Sequence, residues 1–245
     1  MIRWLFNQKK GARSLGLDGY ITRIIVVFIT ALILYQFWIF LHICWWIKFN
    51  PSTSAFMEDR LQVMQEKNPD VELRYKWVDY NKISNHLKRA VVAAEDSRFT
   101  DHEGFDWEGI QKAYKKNLKK GKIVAGGSTI SQQLAKNLFL STKRTPWRKA
   151  EEAVITLMLE KMLTKKRILE IYLNVIEWGN GVFGAEAASR HYFKTSASGL
   201  SRYQAARMAA MIPNPRFYDR HKSTRYLNRR TATIQARMHQ AVIPK

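Results

Sequence analysis

Five carboxylates and a histidine lie within twelve residues, between Glu95 and Asp106. Such side chains can take up or release a proton during a reaction when their surroundings adjust the pKa. An equal density of acids is typical of a solvated helix end, where carboxylates cap the next turn. Taken alone, the segment favours the solvated helix end, and acid–base chemistry needs support from elsewhere in the chain.

A second block joins a glycine turn to the start of a helix. From Gly126 to Asn137 it reads Gly-Gly-Ser-Thr-Ile-Ser-Gln-Gln-Leu-Ala-Lys-Asn. Ser128 or Thr129 suits the N-cap, and the free backbone amides of a helix start attract anions. Lys136 follows about two turns further on. The block lacks the final Gly-Lys-Ser/Thr of a nucleotide phosphate loop, and it fits an ordinary helix start as well.

A third block, from Arg144 to Glu152, opens another helix with three cations. Arg148 and Glu152 are four residues apart and therefore lie on one helix face, and Lys149 is adjacent to Arg148. Cations grouped in this way suit an anionic group, although a plain surface ion pair has the same pattern. A fourth block, Lys165 to Asn174, is expected to be mainly architectural.

Apolar residues at helical spacing indicate the elements that position these blocks. The spacing recurs within 83–98, 108–117, 129–139, 148–163, 166–177 and 202–211. Strand-like alternation is scarce, and only short pieces such as 71–77 can pair. The fold class is therefore predicted to be mainly α.

The run from Ile24 to Ile47 contains 24 residues without a formal charge. As a helix it would be roughly 36 Å long, which is enough to cross a hydrocarbon core of ~30 Å. Trp45, Trp46 and Lys48 at its end fit the headgroup region. A cleavable signal peptide would have a shorter apolar core ending in small residues, so we expect an uncleaved transmembrane helix.

Basic residues outnumber acidic ones before this run, which keeps the N-terminus in the cytoplasm under the positive-inside rule. They are Arg3, Lys9, Lys10, Arg13 and Arg23, against Asp18. The chain has 41 Lys and Arg against 20 Asp and Glu, so its exported part is also strongly cationic. A partner carrying phosphate is expected, and nucleic acid is not, because the basic part is predicted to be exported. The single cysteine, Cys44, excludes an intramolecular disulfide.

The predicted organisation has four parts: a cytoplasmic tail (1–23), a transmembrane helix (24–47), a stalk with a short helix (48–75) and one domain (76–245). The breaker-rich residues after Phe49 mark the stalk.

In this order and spacing, the four blocks resemble the peptidoglycan glycosyltransferase family that polymerises lipid II, over roughly residues 83–218. The matching motifs are Glu-Asp-x-x-Phe-x-x-His-x-Gly, Gly-Gly-Ser-Thr-Ile-x-Gln-Gln-x-x-Lys-Asn, Arg-Lys-x-x-Glu and Lys-x-x-Ile-Leu-Glu-x-Tyr-Leu-Asn. Gln204 stands where the family commonly has a glutamate, and we expect that position to be structural. The chain stops about 30 residues beyond Pro215 without Ser-x-x-Lys or Lys-Thr-Gly. We therefore expect the monofunctional, biosynthetic type.

The resemblance implies a lysozyme-like, two-lobed helical glycosyltransferase domain. It also implies an inverting transfer: the 4-hydroxyl of lipid II attacks a glycan chain held on undecaprenyl pyrophosphate. Glu95 matches the family's catalytic glutamate, and Glu152 is the second residue expected to be catalytic. The expected substrate-binding residues are Asp96, Phe99, His102, Ser128, Thr129, Gln132, Gln133, Lys136, Asn137, Arg144, Arg148 and Lys149.

Within that set, Asp96 and His102 are expected to position Glu95, while the cations bind the pyrophosphate. Glu152 would organise those cations. Its alternative role, also implied by the resemblance, is to share a divalent cation, Mg²⁺ or Mn²⁺, with the pyrophosphate. No cofactor is otherwise required.

The basic stretch from Trp107 to Val124 carries six lysines among Ile110, Tyr114 and Leu118. It is expected to contact membrane lipid, and a solvated helix is the other interpretation. The expected location is the inner membrane of a Gram-negative cell, with the domain in the periplasm. Cell-division or elongation proteins are expected partners that no motif specifies.

Two other functions remain open from the sequence. A lysozyme-like hydrolase or lytic transglycosylase would also use a glutamate in a helical saccharide cleft, but it has no pyrophosphate for the cations to bind. A non-catalytic cell-wall scaffold would tolerate replacement of the motif glutamates.

Overall fold

A computed structural model describes residues 17–122, 126–143 and 145–245. It divides into two units between Leu41 and His42. The described part of the first unit, from Leu17 onward, is most of the long helix α1 (Leu17–Trp46).

The stretch Gly19–Trp46 of α1 is long and apolar enough to cross a membrane, with a mean hydropathy of 2.6. Most of its large apolar side chains are exposed, unlike those of a helix in a soluble core. The helix begins at Leu17, before the uncharged run starts at Ile24. Helical hydrogen bonding does not require apolar side chains, so the helix extends beyond the segment that hydropathy marks.

The second unit is built almost entirely from helices. They are α2 (Ala55–Gln65), α3 (Asn85–Glu95), α4 (Trp107–Lys120), α5 (Ile130–Phe139), α6 (Pro146–Met162), α7 (Lys165–Val175), α8 (Ala185–Phe193), α9 (Arg202–Met211), α10 (Pro215–Arg220) and α11 (Arg225–Arg237). Short 3-10 turns occupy Tyr80–Lys82, Ala197–Gly199 and Met238–Gln240. The prediction of a mainly α fold with one apolar N-terminal helix is confirmed.

Most of these helices begin at a Ser, Thr or Asp whose side chain accepts a backbone N–H of the first turn. The caps are Ser54, Ser84, Asp106, Thr129, Thr145, Thr164, Ser201 and Thr224. At α9 the cap is reciprocal, because the Gln204 side chain also accepts the backbone N–H of Ser201 at 2.9 Å. Gln and Glu fill this role equally well, which explains why glutamine is tolerated at this position.

A three-stranded sheet is the other element of the second unit. It has the order β1 (Arg74–Tyr75), β3 (Val182–Phe183), β2 (Glu177–Gly179). β1 runs parallel to β3 and β2 antiparallel to it. The short pairing segment predicted within 71–77 is therefore present.

Two groups of helices form the core of the second unit. α5 packs against α6 and α7, and α3 packs against α9 and α11. Fully buried Leu134, Ile155 and Ile168 fill the first group, and Leu87, Ala205 and Leu227 fill the second. The end of α3 and the start of α5 are therefore held by separate helix groups.

Candidate active site

Glu95 is the last residue of α3, and its side chain is only 11% exposed. One carboxylate oxygen, Oε2, accepts a hydrogen bond from Gln133 Nε2 at 3.0 Å. The other, Oε1, accepts one from Arg230 Nη2 at 3.2 Å. The carboxylate is thus held between α5 and α11.

Burial raises the pKa of Glu95 above its ordinary value, because the charged form loses water. The neighbouring charge of Asp96 acts in the same direction. The hydrogen bond from Gln133 and the charges of Arg230 and Lys136 oppose the rise. The side chain therefore has an elevated pKa, as a carboxylate that accepts a proton needs.

Gln133 is itself held from the far side. The hydroxyl of Tyr172 on α7 donates to Gln133 Oε1 at 2.9 Å. Tyr172 is fully buried, and burial, followed by the charges of Glu95 and Asp96, raises its pKa well above the ordinary value. The phenol therefore stays protonated and can donate.

Asp96 connects the end of α3 with the start of α5. Its buried carboxylate accepts the backbone N–H of Ile130 at 3.0 Å and lies 3.0 Å from His102 Nε2. A carboxylate at a helix start is also favoured by the helix dipole. Asp96, the residue after Glu95, therefore contacts both His102 and the start of α5.

Thr129 and Gln132 form the capping box of α5, and both are buried. The Thr129 hydroxyl also donates to the carbonyl of Gly104 at 2.7 Å. Asn137 is buried too, and it donates to the carbonyl of Gln133 at 2.6 Å. The structure therefore uses these three side chains within the protein, whereas Ser128 is exposed.

Gly104 allows the chain to pass close to α6. Its φ is +89°, and a Cβ there would lie 2.8 Å from Thr156 Cγ2. Only glycine combines this φ with such a close approach. Phe99, five residues earlier, is fully buried, with Lys165 Nζ 4.6 Å from its ring centroid, so its ring packs inside the domain.

A second buried carboxylate, Glu152 on α6, is paired with two cations. Its Oε2 accepts from Arg148 Nη1 at 3.1 Å, and its Oε1 accepts from Lys149 Nζ. Glu152 is 4% exposed, whereas Lys149 is 50% exposed. A buried anion thus fixes the two cations, and Lys149 remains half exposed.

These residues do not fit a protein-held divalent cation. Both oxygens of Glu152 already accept from cations, and an added metal ion would be repelled by Arg148 and Lys149. Among the described residues, no group of three or more His, Cys, Asp or Glu is arranged to hold a metal ion.

Lys136 projects from α5, the helix that also carries Gln133 and packs against α6. It lies close enough to Glu95 to lower the pKa of that carboxyl, and its Nζ is 5.4 Å from the Phe56 ring centroid. Arg144, the remaining predicted cation, lies outside the described residues. Glu95, Gln133 and Lys136 are therefore brought together, as are Arg148, Lys149 and Glu152.

Sequence analysis missed two residues of this site. Tyr172 lies in the block predicted to be mainly architectural, and Arg230 lies beyond the segment that carries the motifs. The separation between Arg230 and Glu95 is 135 residues, and no local pattern marks such a pair.

The sequence profile of the Transglycosylase family matches residues 61–239. The chain belongs to this family. It is 70% identical over 212 residues to a protein of Methylobacillus flagellatus, covering 86% of this chain and 93% of the relative. It is 62% identical over 225 residues to one of Laribacter hongkongensis (92% and 99%) and 63% identical over 222 residues to one of Nitrosospira multiformis (91% and 96%). Each is named a biosynthetic peptidoglycan transglycosylase. The transglycosylase match includes Glu95, Glu152, Tyr172 and Arg230.

Proposed function

We propose that this transglycosylase polymerises lipid II into β-1,4 glycan strands, with Glu95 as the general base. Support comes from the family, from relatives named for peptidoglycan biosynthesis, and from one geometric observation. That observation is a buried carboxylate held by Gln133 and Arg230 at the end of α3. Burial raises its pKa, as a general base requires.

The reaction is one displacement at the anomeric carbon of the growing chain. The 4-hydroxyl oxygen of lipid II forms the new bond to that carbon, and the bond from the carbon to undecaprenyl pyrophosphate breaks. Glu95 takes the hydroxyl proton as the oxygen attacks, because a neutral hydroxyl is a weak nucleophile. A single displacement inverts the configuration from the α-linked pyrophosphate to the β linkage.

The departing pyrophosphate requires positive charge. In this proposal Arg148 and Lys149 supply it, because Glu152 fixes both and Lys149 is half exposed. Lys136 and Arg144 complete the set. An arginine fork can bind two phosphate oxygens, while a lysine acts as a point charge.

The remaining motif residues act by position in this proposal. Asp96 and His102 fix the junction between α3 and α5, and Thr129 and Gln132 fix the start of α5. Asn137 and Phe99 stabilise the same region from inside. Ser128 is exposed and is therefore placed to meet the substrate.

The site is proposed to operate at a membrane surface, on the periplasmic side. α1 provides a single-pass anchor. On α4, Trp107, Tyr114 and Leu118 form an exposed apolar stripe, 72%, 63% and 64% exposed, beside a row of lysines. Such a helix suits an anionic bilayer, from which lipid II is drawn.

Product analysis tests the proposed reaction against a hydrolase. The full chain is incubated in detergent with lipid II and, separately, with preformed glycan strands. We expect lipid II to be consumed into longer strands and the preformed strands to keep their length. Shortening of the strands without growth from lipid II would identify a hydrolase or lytic enzyme.

A further inference from the structure

Tyr172 has no role in the mechanism so far, yet two hydrogen bonds through one side chain, Gln133, link its hydroxyl to the Glu95 carboxylate. The hydroxyl donates to Gln133 Oε1 at 2.9 Å, and Gln133 Nε2 donates to Glu95 Oε2 at 3.0 Å. The three side chains come from α7, α5 and α3, so the chain of hydrogen bonds crosses three helices.

The two ends of a glutamine amide have the same shape and opposite hydrogen-bonding roles. When NH₂ faces an ionised Glu95, it donates to the carboxylate. When the amide is turned over, its oxygen meets the carboxylate and the two repel. The orientation of the Gln133 amide must therefore be fixed. The group that contacts the end facing away from Glu95 can fix it.

We propose that Tyr172 is a positioning residue that holds the Gln133 amide with its NH₂ towards the Glu95 carboxylate. This proposal rests on Glu95 being the base. In the observed arrangement the phenol donates, so Gln133 presents its oxygen to Tyr172 and its NH₂ to Glu95.

The arrangement couples the amide to the proton on Glu95. A protonated Glu95 can donate to the amide oxygen, and the turned amide can then donate to the phenol oxygen. In that turned orientation the phenol accepts, and the described residues offer its own buried proton no other acceptor. The donating phenol favours the orientation that belongs to the ionised base. Burial raises the pKa of Tyr172, so the phenol keeps its proton while Glu95 titrates.

Other charged groups also act on Glu95, and they come from each element around it. They are Asp96 beside it, Lys136 on α5 and Arg230 on α11. Replacing Tyr172 by phenylalanine leaves these charges in place. The substitution also keeps the ring that fills the space between α5 and α7, so it removes little besides the hydrogen bond.

Steady-state polymerisation of lipid II by the full chain tests the proposal with Tyr172→Phe. We expect kcat to fall about three- to tenfold, the range that one hydrogen bond supplies, with KM nearly unchanged. The acid limb of the kcat/KM profile should move to higher pH, because the ionised base loses support. Tyr192→Phe is the matched control, since the Tyr192 hydroxyl donates to the backbone carbonyl of Trp178 and to the side chain of Asp219. It should leave the pH profile in place.

The double variant shows whether Tyr172 acts through Gln133. In a Gln133→Met background, Tyr172→Phe should cause no further fall in kcat, because the intermediate amide is gone. An unchanged pH profile in Tyr172→Phe, or losses that multiply in the double variant, would overturn the proposal. If Glu95→Gln also kept its activity, Glu95 would not be the base. If Glu95→Gln lost activity while the Tyr172 variants gave either of these contradicting results, only the proposed role of Tyr172 would be rejected.

Discussion

At the scale of single residues, the site contains a carboxylate under opposing influences. Loss of water raises the pKa of Glu95, while Gln133, Arg230 and Lys136 lower it. A base must be ionised before the hydroxyl attacks and must then keep the proton it receives. The balance between burial and these donors sets the pH range in which both conditions hold.

Arg230→Gln should move the acid limb of the activity profile to higher pH. The arginine stabilises the charged form of Glu95, so its loss raises the pKa of the base further. The measurement is kcat/KM for lipid II polymerisation across the acid range. Arg230→Lys keeps the charge and should remain closer to the parent profile. A limb that stays in place in Arg230→Gln would show that Arg230 does not tune Glu95.

Glu95→Gln should be at least as stable as the parent chain at neutral pH. A carboxyl whose folded pKa is raised favours the folded state at low pH. That advantage is lost as the pH rises from 4.5, the ordinary pKa of the carboxyl, through its raised pKa in the folded state. The neutral amide avoids this loss. Thermal unfolding at several pH values checks the prediction. A lower melting temperature of the variant at neutral pH, with equality at acid pH, would contradict it.

At the scale of elements, the site depends on where helices begin. Glu95 ends α3, and the capping box of Thr129 and Gln132 starts α5, from which Gln133 and Lys136 project. Asp96 bridges the two helices through the amide of Ile130. Displacement of the first turn of α5 would therefore move the groups that face the base.

Thr129→Val should lower the free energy of unfolding by about 1 kcal/mol, the usual cost of losing an N-cap. It also removes the donor to the carbonyl of Gly104. Chemical denaturation of the full chain in detergent measures the change. Thr142→Val is the control, because Thr142 is exposed and its hydroxyl donates to Asp59 without capping a helix of the described residues. Equal stability of the two variants would argue against a capping role for Thr129.

α4 is the element proposed to meet the bilayer. Neutralising Lys112, Lys115 and Lys119 to glutamine should weaken its attraction to anionic lipid, by about 1 kcal/mol for each charge. Amide hydrogen exchange over α4 is compared in anionic and neutral proteoliposomes. The parent chain should exchange more slowly in anionic lipid, and the triple variant should lose the difference. Equal exchange of the parent chain in both lipids would leave α4 as a solvated helix.

At the scale of the whole molecule, local patterns predicted most helices and their chemical blocks. Apolar spacing located α3, α5, α6, α7 and α9 to within a few residues. It gave no indication of α11, whose face contains many arginines around few buried residues such as Leu227 and Ile234. The start of α5 was recognisable because its cap, Thr129, is a local feature of the sequence.

Interactions between distant segments account for what sequence analysis could not predict at the site. The pair of Glu95 and Arg230 spans 135 residues, and the bond from Tyr172 to Gln133 spans 39. Tyr172 lies among apolar residues at helical spacing, which is the sequence pattern of an ordinary core residue. Thr129 was one of two N-cap candidates in the sequence, and the structure shows that it caps α5 and that Gln132 completes the capping box.

Comparison of the parent chain with Glu95→Gln tests whether Glu95 is the general base. The polymerisation rate and the affinity for lipid II are measured for the full chain and for Glu95→Gln. The control is Glu103→Gln, an exposed carboxylate in the same segment that pairs with Lys161. We expect Glu95→Gln to bind lipid II normally and to polymerise it about 10²–10⁴-fold more slowly, with Glu103→Gln unchanged. Near-normal turnover by Glu95→Gln would contradict the account.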